Sequence, residues 1–172
     1  MRQLQGQLKT GKGDGGSGKG GTDPARWFER AGPLLERLCS EGPFSNGVAL
    51  LARARAILNE LSEPEQIAVI NAHPRIGERP DKLSTASFKE QGYRDDATPP
   101  EVFLRLANLN EEYEQKFGFR FVVFVNRRSK TAIVPLLEAR LRGSRDEERR
   151  TALREILAIA EDRLNREEGR WR

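Results

Sequence analysis

Apolar residues recur along most of this chain at the three-and-four spacing of helices. Asp23-Pro24 opens the first pattern, with Asp as N-cap and Pro at the first helical position. Trp27, Phe28, Leu34, Leu35 and Leu38 supply its apolar face, and Gly32-Pro33 interrupts or restarts it. A second helix is predicted from about Asn46 to Leu61, on Val48, Leu51, Ile57, Leu58 and Leu61. Ser62-Glu-Pro-Glu starts a third, which carries Ile67, Val69 and Ile70 up to His73. Pro74 stops it, because the residue before a proline is driven out of the α region. Pro74 to about Ala86 reads as a loop rich in Gly, Pro, Ser and charge. Ser87-Phe88-Lys89-Glu90 has capping-box spacing and predicts a short helix. Thr98-Pro99-Pro100-Glu101 opens a long one, with Val102, Phe103, Leu106, Leu109, Tyr113 and Phe117 at helical spacing and Gly118 as its stop. A helix from about Thr131 to Arg142 follows, with Pro135 near its first turn and Gly143 as its end. A capping box of Ser144 and Glu147 starts the last helix, which runs to about Glu168 on Leu153, Ile156, Leu157, Ala160 and Leu164.

One segment breaks the pattern. Phe119 to Val125 reads FRFVVFV, a buried strand by propensity. Nothing else in the chain offers it a partner strand, and a lone strand leaves its backbone unsatisfied. The prediction is an extended or irregular buried connector inside an all-α, single compact domain of six to eight helices. That domain is expected over 22–168, between a tail at 1–21 and a short one at 169–172. Lys9 to Gly21 reads KTGKGDGGSGKGG, with too little apolar surface to offset its ordering entropy, so disorder is expected. Gly13 to Lys19 matches a phosphate loop, but Gly20 stands where a Ser or Thr should meet magnesium. Without a strand before it or a helix directly after it, the match is set aside.

Charge adds a second possibility and then weakens it. The net charge of +4 and the high pI, about 9.5, are compatible with nucleic acid. Arg and acidic residues nevertheless interleave, as in Arg145-Asp-Glu-Glu-Arg-Arg150, which predicts solvated helix faces with i,i+4 pairs and no nucleic-acid partner. No apolar run approaches the roughly 20 residues of a membrane span, so no membrane partner is expected. Cys39 is the one cysteine, which excludes an intramolecular disulfide; near the end of an amphipathic helix it reads as a small buried thiol. The N-terminus lacks an apolar signal core and the C-terminal Gly-Arg-Trp-Arg is unlike a peroxisomal Ser-Lys-Leu ending, so a cytoplasmic location is expected.

Candidate chemistry centres on three places. His73 is the single histidine, so a His-based metal cluster is excluded. It stands at a helix end before a polar loop, where the negative end of the helix dipole favours a protonated imidazole. Two readings stay open: a helix-ending cap and a proton-handling group. Ser87 and Glu90 are either a capping box alone or a helix start that offers backbone donors to an anion. Arg163 projects from the edge of the last apolar stripe, either to solvent or into a cavity as a counter-ion.

These residues occur in a recognisable order. Asn71-Ala-His-Pro-Arg-Ile-Gly77, Ser87-Phe-Lys-Glu-Gln91, Lys116-Phe-Gly-Phe-Arg-Phe-Val-Val123 and Ile156-Leu-Ala-Ile-Ala-Glu-Asp-Arg-Leu164 together resemble the OHCU decarboxylase family, where OHCU is 2-oxo-4-hydroxy-4-carboxy-5-ureidoimidazoline. The resemblance spans roughly Arg26 to Leu164. It implies an all-α enzyme, commonly a homodimer, with no metal or organic cofactor. It implies conversion of OHCU to S-allantoin and carbon dioxide, the last step from urate to allantoin. By matching position it makes His73 the catalytic histidine, with Glu90 and Arg163 as its catalytic companions. Pro74, Ser87, Phe88, Lys89, Glu90 and Gln91, the segment Phe121, Val122, Val123, Phe124 and Val125, and Arg163 become the substrate-binding set. Association with other urate-pathway enzymes is a further expectation. The rival expectation is a basic helical module that binds nucleic acid or protein without catalysis.

Overall fold

The computed structural model describes residues 23–28, 30–78, 85, 91 and 98–167. Among them the chain forms a 3-10 turn, Pro24–Arg26, and six α-helices. These are α1 (Gly32–Glu41), α2 (Gly47–Glu60), α3 (Glu63–Asn71), α4 (Pro100–Phe117), α5 (Lys130–Arg140) and α6 (Arg145–Glu167). No strand occurs among the described residues, as the hydrophobic pattern predicts. The Gly/Lys-rich stretch 1–21, the short helix expected at Ser87 to Glu90, and 169–172 lie outside the described residues.

Side-chain caps stand at several of the helix starts read from sequence. Asp23 accepts from the Ala25 N–H at 3.0 Å, and the helix restarts at Gly32-Pro33. Asn46 accepts from the Ala49 N–H at 2.9 Å. The Ser144 N–H donates to the Glu147 carboxylate at 3.1 Å, the reciprocal half of a capping box. Gly118 ends α4 at φ +79°, a left-handed conformation that a side chain would strain. Two details differ from the pattern. α3 stops at Asn71, so His73 lies in the bend beyond it rather than in the helix. Cys39 is exposed, not buried: Leu34 and Leu38 face the core, and one residue past Leu38 the helix has turned about 100° away.

Helix α6 organises the packing. It lies against α2, α3 and α4, while α1 packs on α2, α3 and the first turn, and α5 packs on α4. Leu38, Leu50, Ile57, Ile70, Leu106, Ile133, Leu137 and Ile156 are almost completely buried in the shared core. Each such side chain stabilises the fold by about 1.5–3 kcal/mol relative to exposure.

The connector 119–125 has no regular secondary structure, yet Phe119, Phe121, Val122, Val123 and Val125 are all buried. Phe119 and Phe121 pack edge-on to Tyr113, with ring centroids 5.3 Å apart for Tyr113 and Phe121. Behind it lies a buried ion pair, Arg140 to Glu148 at 2.6 Å. Arg140 donates to the Val122 carbonyl at 2.8 Å, and the Tyr113 hydroxyl donates to Glu148 at 2.6 Å. Burial, and then the hydrogen bond to Glu148, push the Tyr113 hydroxyl above its ordinary pKa, so it remains a donor. A charged network of this kind answers the polar backbone that a helix or sheet would have answered for itself.

Candidate active site

The first wall is the turn that follows α3. Pro74 has no N–H and prevents another helical turn, so the last carbonyls of α3 need other donors. Arg120 supplies them: one guanidinium nitrogen donates to the carbonyls of Asn71 and His73, each at 2.9 Å. The Arg120 N–H in turn donates to the Asn71 side chain at 2.9 Å. The imidazole Nδ1 of His73 lies 3.2 Å from the Val69 carbonyl. A carbonyl only accepts, so Nδ1 carries the hydrogen in that contact, and Nε2 is the other ring nitrogen.

The rest of the turn is held from three sides. Arg75 makes a two-pronged pair with Glu114 at 2.8 and 2.7 Å, and that carboxylate makes the guanidinium still more basic. The Ile76 carbonyl accepts from the buried Asn110 amide at 3.1 Å. The Gln91 side chain accepts from the Gly77 N–H at 3.0 Å and donates to the Arg75 carbonyl at 3.2 Å. Gly77 has φ +77°, and a Cβ there would also stand 3.3 Å from Leu106 Cδ1, so the position favours glycine twice over.

The second wall is the connector. The Phe124 N–H donates to the Glu155 carboxylate of α6 at 2.6 Å. The Phe124 and Val125 carbonyls accept from Arg128 at 2.9 and 3.1 Å. Among the described residues, nothing accepts from the N–H groups of Val122, Val123 and Val125 or donates to the Val123 carbonyl. The third wall is one face of α6, where Ile159, Arg163 and Arg166 succeed one another at spacings of four and three. Arg163 is half-buried and donates to the Trp27 carbonyl at 3.1 Å, and Arg166 contacts Asp162 at 2.7 Å.

These walls form the sides of one cleft. His73, Pro74, Ile76, Gln91, Phe121, Val122, Val123, Phe124, Val125, Asn126, Ile159, Arg163 and Arg166 line it. Of the residues singled out from sequence, His73, Pro74, Gln91, Arg163 and the whole of Phe121 to Val125 meet here. Ser87, Phe88, Lys89 and Glu90 lie outside the described residues. Ile76, Asn126, Ile159 and Arg166 were not anticipated. Helical spacing from Arg163 points to Ile159 and Arg166, whereas the wall-holding Asn110, Arg120, Arg140 and Glu155 carry no local signal of their partners. Among the described residues no three His, Cys, Asp or Glu side chains converge as a metal site requires. The arrangement joins an imidazole, a guanidinium and backbone donors in a largely apolar cleft, which suits a small anionic ligand rich in hydrogen-bonding groups.

Comparison with known proteins agrees in sequence and in fold. A family model described as OHCU decarboxylase matches residues 25–165. The chain is 31% identical over 137 residues to the 2-oxo-4-hydroxy-4-carboxy-5-ureidoimidazoline decarboxylase of Haloferax volcanii, covering 80% of this chain and 82% of that one. It is 30% identical over 137 residues to the uric acid degradation bifunctional protein PucL of Bacillus subtilis, covering 80% of this chain and 28% of that longer protein. A crystal structure of OHCU decarboxylase in the presence of (S)-allantoin superposes with a TM-score of 0.67 at 24% identity, over 85% of this chain and 97% of that one. At that identity the superposition speaks for the fold, and the sequence matches speak for the family. With the family model spanning nearly every described helix, the chain belongs to the OHCU decarboxylase family.

Proposed function

We propose that this protein decarboxylates OHCU to (S)-allantoin and carbon dioxide in urate degradation. The observation that carries the reading is the convergence on one cleft of His73, Arg163 and Val122, Val123 and Val125, whose backbone N–H groups have no partner among the described residues.

The chemistry needs little more than positioning and a proton. The bond from the ring carbon to the carboxylate breaks, and its electron pair flows towards the adjacent C=N of the substrate. Carbon dioxide leaves and an enolate-like centre remains. A proton then adds to one face of the ring, which sets the handedness of the product. The substrate is its own electron sink, so the reading calls for no cofactor. His73 handles the proton through Nε2 and first polarises or deprotonates the substrate hydroxyl; the Nδ1 contact with Val69 supports that division of labour. Arg163 pairs with an anionic oxygen, in two-pronged fashion where the geometry permits. By the same resemblance, Glu90 orients His73 or binds ureido N–H groups, and Ser87, Phe88 and Lys89 contact the substrate. Gln91 and the connector backbone hydrogen-bond the ring and the ureido group, while Pro74 and Phe121 to Val125 shape the surface.

A homodimer, a cytoplasmic location and association with other enzymes of urate degradation belong to the same proposal. The B. subtilis relative, a bifunctional protein of uric acid degradation, supports the last. No described helix is long and apolar enough to cross a membrane. The nucleic-acid reading has less support, because many arginines are paired: Arg53 with Glu41 and Glu60, Arg105 with Glu138, Arg145 with Glu63 and Arg166 with Asp162.

The test is to generate OHCU in situ and follow (S)-allantoin by circular dichroism. The native protein is expected to outpace spontaneous decay and to give one enantiomer. A rate equal to spontaneous decay sinks the proposal.

A further inference from the structure

We infer that Arg120 is a positioning residue for His73, an inference that rests on the proposed decarboxylation for its kinetic consequence. Arg120 stands where two walls of the cleft meet. Its guanidinium holds the carbonyls of Asn71 and His73, and its backbone N–H holds the Asn71 side chain. One residue therefore makes two hydrogen bonds to the last residue of α3 and a third to the bend beyond it. Phe121, where the cleft-lining connector begins, is its next neighbour in the chain. The distance from the imidazole to the donors of Val122 and Val123 is thus set through a linkage of two residues.

The chemistry of the side chain suits this task. A helix terminated by Pro74 leaves carbonyls that no helical N–H can reach, and a cation at a helix C-terminus is favoured by the dipole. The planar guanidinium is pre-organised to span two carbonyls, whereas a lysine ammonium on a flexible stem is not. Arg120 is half-buried and outside the hydrophobic core, so its replacement removes the two guanidinium bonds without opening a cavity and leaves the backbone bond to Asn71. Arg75, two residues beyond His73, pairs with Glu114 and makes no hydrogen bond to either carbonyl among the described residues.

The experiment compares Arg120→Met and Arg120→Lys with the native chain, and uses Arg105→Met as the control for loss of a surface pair. Two readouts are taken. The first is kcat and KM on OHCU generated in situ. The second is the nitrogen and proton spectrum of the imidazole, which is unambiguous because the chain has one histidine. Arg120→Met is expected to lower kcat about tenfold to a hundredfold through misplacement of a reacting group. KM is expected to stay within about threefold, since the groups proposed to bind substrate are retained. The imidazole resonances are expected to shift and broaden as the contact with Val69 loosens. Arg120→Lys should recover part of kcat, and Arg105→Met should match the native chain in both readouts. A folded Arg120→Met protein with native kcat or native imidazole resonances overturns the inference. If that variant does not fold, Arg120→Lys decides: an intermediate kcat with displaced resonances supports the inference, and native values of both overturn it. If the native chain fails to outpace spontaneous decay, the proposed function falls, and the imidazole spectrum alone still decides whether Arg120 positions His73.

Discussion

Two stretches of non-helical backbone face each other across the cleft, and they are held in opposite ways. In the turn from Ala72 to Gly77, side chains from other parts of the fold answer the exposed backbone: Arg120 at His73, Gln91 at Arg75 and Gly77, and Asn110 at Ile76. In the connector, Phe124 is pinned by Glu155 and Val122 by Arg140, yet the N–H groups of Val122, Val123 and Val125 have no partner among the described residues. Buried donors left unanswered cost stability. A wall that answers its own backbone is suited to hold one reactive group still. A wall that keeps donors in reserve is suited to receive a ligand. Under the proposed function, the turn would handle the proton and the connector would recognise the substrate.

Four substitutions separate the two roles. The largest effect belongs to His73→Asn, which removes the proposed proton-handling group and should lower kcat by about 10²–10⁴-fold with the fold intact. Steady-state kinetics beside far-UV circular dichroism checks this. Arg163→Gln should raise KM about tenfold to a hundredfold, the scale of one lost charge-assisted hydrogen bond; an effect confined to kcat would move Arg163 from recognition to proton handling. Glu155→Leu frees the Phe124 N–H and lets the connector shift, so kcat/KM should fall about tenfold. Inhibition by (S)-allantoin should weaken in parallel if the connector is the recognising wall. Asn110→Ala leaves the Ile76 carbonyl unanswered inside the protein and should cost about 1–3 kcal/mol in urea unfolding. A loss of activity larger than that of Glu155→Leu would show that the turn, too, takes part in recognition.

The sequence made the helices legible because their periodicity and caps are local. Asp23-Pro24, Asn46, Ser144 with Glu147 and Gly118 act within one turn, and the structure uses each of them at a helix boundary. The connector was legible by elimination, since FRFVVFV had strand chemistry and no strand to pair with. His73, Arg163 and the connector were brought together by resemblance to a family, because their own spacing does not distinguish a cap or a solvated arginine from a site. What sequence could not deliver was the support. Arg120 reaches Asn71 across 49 positions, Asn110 reaches Ile76 across 34, and Glu155 reaches Phe124 across 31. Such pairs are fixed by how α3, α4 and α6 pack, and no local pattern encodes them. The exposed Cys39 shows the same limit on a smaller scale: its helix was read correctly, and its face was set by one residue of rotation.

The most direct test of the contrast between the walls is a titration of the isotopically labelled native chain with (S)-allantoin, read at backbone amides. The account predicts that the Val122, Val123 and Val125 amides shift and gain protection from exchange as the ligand saturates. The Phe124 amide, already bound to Glu155, should change least within the connector. Saturating ligand that leaves those three amides unmoved, or that acts on a face away from the cleft, would contradict it.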